Sequence, residues 1–162
     1  MPIVLCRVDE RLIHGQVVVG WGTNLHAGRI VVADDELAES SWEQELYRAG
    51  VPDEVETTFL SLDDAAARIE ALQEDALRTI LLLRDVEGLK RLAAPLAAAG
   101  VEVNLGGIHH AEGRERVLPY LFLSAREREA LRSVGASGVR LSARDLPGSR
   151  RVSLSELVGA AE

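Results

Sequence analysis

Short, uninterrupted apolar runs recur along this chain between longer segments with helical spacing, and that alternation limits the fold more than any other feature. PIVLCRV (2–8), RIVVAD (29–34), VETTFL (55–60), RTILLL (78–83) and VEVNL (101–105) are compact and rich in aliphatic or β-branched residues. A strand with one face in water alternates apolar and polar positions, whereas a continuous run suits a strand covered on both faces, as in parallel sheets. Between the runs, SWEQELYRAG (41–50) predicts a helix with a Ser cap, Glu in its first turn and a stop at Gly50. LDDAAARIEALQ (62–73) places Ala65, Ile69 and Leu72 on one face, and VEGLKRLAAPLAAAG (86–100) does the same with Leu89, Leu92 and Leu96. Pro95 should kink or locally disturb the second of these.

Strand–helix units of roughly 20–25 residues predict an open α/β sheet with right-handed crossovers. The last third is less regular. LPYLFL (118–123) and GVRLSARDL (138–146) are expected to complete the sheet, with a helix at SAREREALRSVG (124–135) between them. Their direction relative to the other strands does not follow from pattern. No linker, repeat or low-complexity tract interrupts the chain, so residues 1–162 are expected to form one domain. A domain of this length buries roughly 70% of its unfolded surface and needs no disulfide or metal to be stable.

Charge and cysteine usage narrow the function. The net charge of −8 disfavours a nucleic-acid binder, which would cluster Lys and Arg, though it leaves room for a small basic pocket. One cysteine, Cys6, excludes an intrachain disulfide framework and suits a reducing compartment. MPIVLCRVDERLIHG has no basic region before its short apolar run, so a signal peptide is not expected. No stretch approaches the roughly 18 apolar residues of a membrane span, and a cytoplasmic location is expected.

Open α/β sheets bind ligands beyond the carboxyl ends of their strands. Three loops fall there: RVDERLIHGQ, LRDVEG and GGIHHAEGRER. The first gathers Arg7, Asp9, Glu10, Arg11, His14, Gly15 and Gln16 and enters a predicted helix, QVVVGWGTNL. A neutral imidazole is a good nucleophile, and a free one is largely uncharged at neutral pH. A phosphoryl group on His14 would carry nearly two negative charges. Arg7 and Arg11 could neutralise them with multi-donor guanidinium groups, and the free N–H groups opening the helix would add donors and a favourable dipole. Gly15 would allow close approach and an unusual φ, and Asp9 or Glu10 could orient an arginine or the imidazole. The competing explanation is plain: a loop histidine beside Arg and Asp is usually solvated or salt-bridged. Spacing alone marks a site without naming it.

RVDERLIHGQV (7–17) closely resembles the active-site segment of the mannose/fructose/sorbose family of enzyme IIB of the phosphotransferase system, Arg-x-Asp-x-Arg-Leu-Ile-His-Gly-Gln-Val. Trp21 follows at the family's interval, RIVVADDELA (29–38) resembles its second strand and acidic turn, and ILLLRDVEGLKRL (80–92) its strand, loop and helix. VNLGGIHHAEGRERV (103–117) resembles its Asn-x-Gly-Gly segment, so the likeness covers essentially the whole chain. The resemblance implies a single-domain, mostly parallel sheet of about seven strands with helices on both faces. It implies a subunit that takes phosphate from a phosphohistidine of enzyme IIA onto His14, on Nδ1. From there the phosphate passes to a sugar entering through membrane subunits IIC and IID, at the inner face of the membrane. Arg7, Asp9, Arg11, Gly15 and Gln16 fall in the loop around that histidine. Family members are often dimeric, so a homodimer is open to this chain. Two departures stand out: Arg84-Asp85-Val86 replaces a small polar residue and proline, which makes Arg84 either a further phosphate ligand or a surface salt bridge, and Ser40 replaces a more usual acidic residue.

Rival chemistries fit less well. Other IIB classes use a strand-end cysteine followed by a Gly/Ser/Thr-rich anion loop, but Arg7, Val8 and Asp9 follow Cys6, which is expected to be a core thiol. No nucleotide-binding glycine motif follows a predicted strand. Adjacent histidines such as His109 and His110 lack the separated ligand spacing of a zinc site, so no metal or cofactor is expected. A regulatory protein that only signals through phosphorylated His14 is the alternative that the same residues allow.

Overall fold

A computed structural model describes residues 2–159. The first strand, β1 (Ile3–Val8), leads through the motif loop into a π-helix over Gln16–Thr23. Then follow β2 (Arg29–Ala33), α1 (Asp35–Ala38), α2 (Ser41–Ala49), β3 (Glu56–Leu60), α3 (Leu62–Glu74), β4 (Thr79–Leu83), α4 (Val86–Ala99) and β5 (Val103–Leu105). The remainder comprises β6 (Arg114–Leu118), β7 (Leu121–Ser124), α5 (Ala125–Ala136), β8 (Leu141–Ala143), β9 (Val152–Ser153) and α6 (Leu154–Val158).

Seven strands form one sheet in the order β3-β2-β4-β1-β5-β8-β9, parallel except for the β8–β9 pair. The two-residue period of a strand splits its apolar runs between two cores. Ile30, Val32, Ile80 and Leu82 face Leu12, Ile13, Val17 and Trp21 on one side. Val31, Ala33, Leu81 and Leu83 face Ile69 of α3, Leu89, Leu92 and Leu96 of α4 and Leu131 of α5 on the other. Helices therefore cover both faces, which is why these strands read as continuous apolar runs.

One expectation is corrected. LPYLFL does not join the main sheet: Leu121–Ser124 pairs antiparallel with Arg114–Leu118 in a separate ribbon. Only Leu121 and Leu123 of β7 turn into the core, so this strand is covered on one face. The seventh strand is instead β9, only two residues long and too short to show a pattern. Pro95 leaves α4 continuous to Ala99.

Candidate active site

β1 lies at the centre of the sheet, and the loop after it is stitched to both neighbours. Asp9 N–H donates to the Leu83 carbonyl at the end of β4 (2.8 Å), and Glu10 N–H donates to the Gly107 carbonyl beyond β5 (2.9 Å). Leu12, wholly buried, then adopts a left-handed backbone with φ of 56°. That conformation costs an ordinary residue about 1–2 kcal/mol, which burial of the leucine side chain can offset. The turn carries the chain back so that His14 meets Asp9.

His14 Nε2 lies 2.9 Å from Asp9 Oδ2. Burial pushes the Asp9 carboxyl up, but the hydrogen bond from His14, the charges of His14 and Arg7 and the Arg11 N–H together hold it below the usual range. Asp9 is thus an ionised carboxylate that only accepts, so His14 must donate through Nε2–H. Its Nδ1 has no hydrogen-bond partner among the described residues. The His14 side chain is 12% exposed.

Arg7 lies wholly inside, behind this pair. Its Nε donates to Asp9 Oδ2 (3.2 Å), and its Nη1 donates to Asn104 Oδ1 (2.6 Å) and the Arg144 carbonyl (2.9 Å). The guanidinium sits 5.5 Å from the Trp21 ring centroid, while the indole N–H donates to the Asp145 carbonyl. A Cβ on Gly106 would overlap the Arg7 guanidinium carbon, and one on Gly107 would touch Asp9. Nη2 of Arg7 is buried without a hydrogen-bond partner.

Arg11 differs in every respect. Its backbone N–H caps Asp9 Oδ1 (3.0 Å), but its side chain is at the surface, where Nη2 donates to Gln16 Oε1 (3.3 Å). Gly15 opens the π-helix with φ of −52° and ψ of −43°. The expected unusual φ is therefore absent from Gly15 and belongs to Leu12, because the chain must reverse before His14. Apart from its two chain neighbours, nothing lies within 4 Å of where a Gly15 Cβ would stand.

The model of the sorbose subfamily of IIB components of the phosphotransferase system matches residues 3–162. The chain belongs to that family. It is 32% identical to the N-acetylgalactosamine-specific phosphotransferase enzyme IIB component 2 of Escherichia coli, over 98% of this chain and 100% of that one. It is 27% identical to the fructose-specific EIIB component of Bacillus subtilis, over 91% and 90%. The mannose-specific EIIAB component of Escherichia coli is also 27% identical, matching 98% of this chain but 49% of its own length. The crystal structure of the IIBSor domain of the sorbose permease from Klebsiella pneumoniae superposes with a TM-score of 0.82 at 26% identity, covering 96% of both chains.

The remaining candidates of this IIB component lie around that centre. Arg84, at the end of β4, forks onto Asp34 through two 3.1 Å bonds, which hold its guanidinium above its ordinary range. Glu10 turns away from His14 and accepts from the His109 N–H and from Arg114 Nη1, while Arg114 also forks onto Glu127 at the start of α5. His110 packs edge-on against Phe122. Cys6 is fully buried, and burial pushes its thiol up to about 12, which makes it a poor nucleophile. Asn104, Gly106 and the Arg144 carbonyl also build the site; the Asn-x-Gly-Gly pattern is the sequence signal for the first two, and nothing in the sequence marks the third. No helix among the described residues is long and apolar enough to cross a membrane.

Proposed function

We propose that this IIB component carries a phosphoryl group on His14 Nδ1, received from a phosphohistidine of enzyme IIA and passed to a sugar entering through the membrane subunits IIC and IID. The observation that carries this is the Asp9 hydrogen bond to Nε2, which leaves Nδ1 as the nucleophilic nitrogen. In the first step the Nδ1 lone pair attacks phosphorus and the P–N bond to the donor ring breaks. Its electron pair returns to the donor ring, and each ring keeps the proton on its other nitrogen. The imidazolium formed on His14 lies against the Asp9 carboxylate. In the second step a sugar hydroxyl oxygen attacks, the P–N bond to His14 breaks, and the hydroxyl proton is released to solvent.

The surroundings divide this work. Arg11 has an exposed guanidinium and reaches Gln16 beside the histidine loop, so it is assigned to the phosphoryl charge. Opposite unit charges about 4 Å apart attract by about 4 kcal/mol at the effective dielectric of about 20 usual near a surface. The N–H groups of Gly15 and Gln16 open the helix and add donors. Arg7, enclosed, acts through Asp9, and Arg84 is held on Asp34 until phosphate competes for it. The protein works in the cytoplasm, against the inner face of the membrane.

The test is a label transferred from the phosphorylated donor. Wild-type protein should take up an acid-labile, base-stable phosphoryl group that His14→Ala does not. Undiminished label on the variant rules the proposal out.

A further inference from the structure

Large hydrophobic side chains left exposed are few among the described residues, and two of the three share one cleft. Val19, Trp42 and Leu46 are 67%, 67% and 65% exposed. Trp42 and Leu46 stand one turn apart on α2, a helix that has no buried residue. With Ile13, Glu43 and Tyr47 they line a cleft of about 430 Å³ whose wall also includes His14 and Gly15. Val19 stands four residues beyond Gly15 on the π-helix. Exposed apolar residues scattered singly need no explanation, but a contiguous patch marks an interaction surface.

Resting on the phosphoryl-carrier reading above, we propose that this cleft seats the phosphohistidine donor protein, with Trp42 and Leu46 as its anchors. Three observations choose that occupant. The His14 side chain is only 12% exposed, so a donor ring can reach it only if its protein sits down on the surrounding rim. That rim is the wall of the cleft. Its lining is mainly aliphatic and aromatic, with the Glu43 carboxylate and Tyr47 hydroxyl as its polar side chains besides His14. Such a lining suits side chains of a protein interface core, where Trp is a frequent anchor, better than a polyol that needs many hydrogen bonds. The exposed Arg11 guanidinium in the same loop complements the dianion that a phosphorylated donor brings and the free donor lacks.

The step in which the donor takes part is the first one written above: its P–N bond breaks as the bond to Nδ1 forms. Anchoring should therefore appear in the donor half-reaction and vanish when no donor protein is used. Initial rates of His14 phosphorylation would be measured with the phosphorylated donor protein and, separately, with phosphoramidate, a small phosphoryl donor that needs no docking. For Trp42→Ala and Leu46→Ala the expected result is a KM for the donor protein raised at least about tenfold, as for anchor residues in interfaces. The phosphoramidate rate should match wild type, and Trp42→Phe should recover most of the loss. Both sites are exposed, so the variants should fold. An unchanged KM for the donor protein overturns the docking proposal, as does a defect confined to transfer from phosphorylated protein to sugar. If neither donor phosphorylates wild-type His14, the phosphoryl-carrier reading itself fails.

Discussion

Arg7, on β1, and Arg11, in the loop that follows, stand four residues apart and both touch Asp9, yet they live in different physical worlds. Arg7 is enclosed, with its fork on Asp9, Asn104 and the Arg144 carbonyl and its edge against Gly106. Arg11 gives Asp9 only its backbone N–H and leaves its guanidinium at the surface. In the proposed transfer, the same residue type would serve preorganisation in one place and encounter in the other. The inner arginine holds a carboxylate that fixes the imidazole before any partner arrives; the outer one is free to meet incoming charge.

Substituting each arginine should separate these roles. Arg7→Met keeps volume but strands the Asp9 carboxylate in the interior, and removing one partner of a buried pair costs about 3–5 kcal/mol. Urea unfolding should show that loss, together with slowed transfer. Acid should sharpen the contrast. The folded-state value of Asp9 lies below its unfolded one, so the stability it contributes is complete above about pH 4 and is lost as the pH falls through the depressed value. In Arg7→Met that loss should begin at higher pH. Arg11→Ala should do the reverse: stability within about 0.5 kcal/mol of wild type, as for most surface substitutions, with acceptance and donation of phosphate both slowed by roughly tenfold to a hundredfold, the net worth of a hydrogen bond to a charged group. Equal effects of the two substitutions on stability would dissolve the distinction.

Sequence patterns disclosed the two arginines but not their difference. Burial of Arg7 depends on Asn104, 97 residues away, and on a glycine next to it, neither of which a loop motif contains. The central strands were legible because helices on both faces demand unbroken apolar runs, as Thr79–Leu83 shows with five buried residues in succession. The ribbon and β9 were not, since one is covered on a single face and the other has only two residues. The place of the strained turn was not legible for a related reason: it falls on Leu12 and not Gly15, and its cost is met by burial rather than by residue type.

The decisive quantity is which ring nitrogen of His14 bears hydrogen before transfer and which bears phosphorus after it. Long-range proton–nitrogen NMR of uniformly labelled protein, recorded before and after phosphorylation, reads both. The geometry predicts hydrogen on Nε2, facing Asp9, in the free protein and a phosphoryl group bonded to Nδ1. An Nε2 without hydrogen, or phosphorus on Nε2, would contradict it.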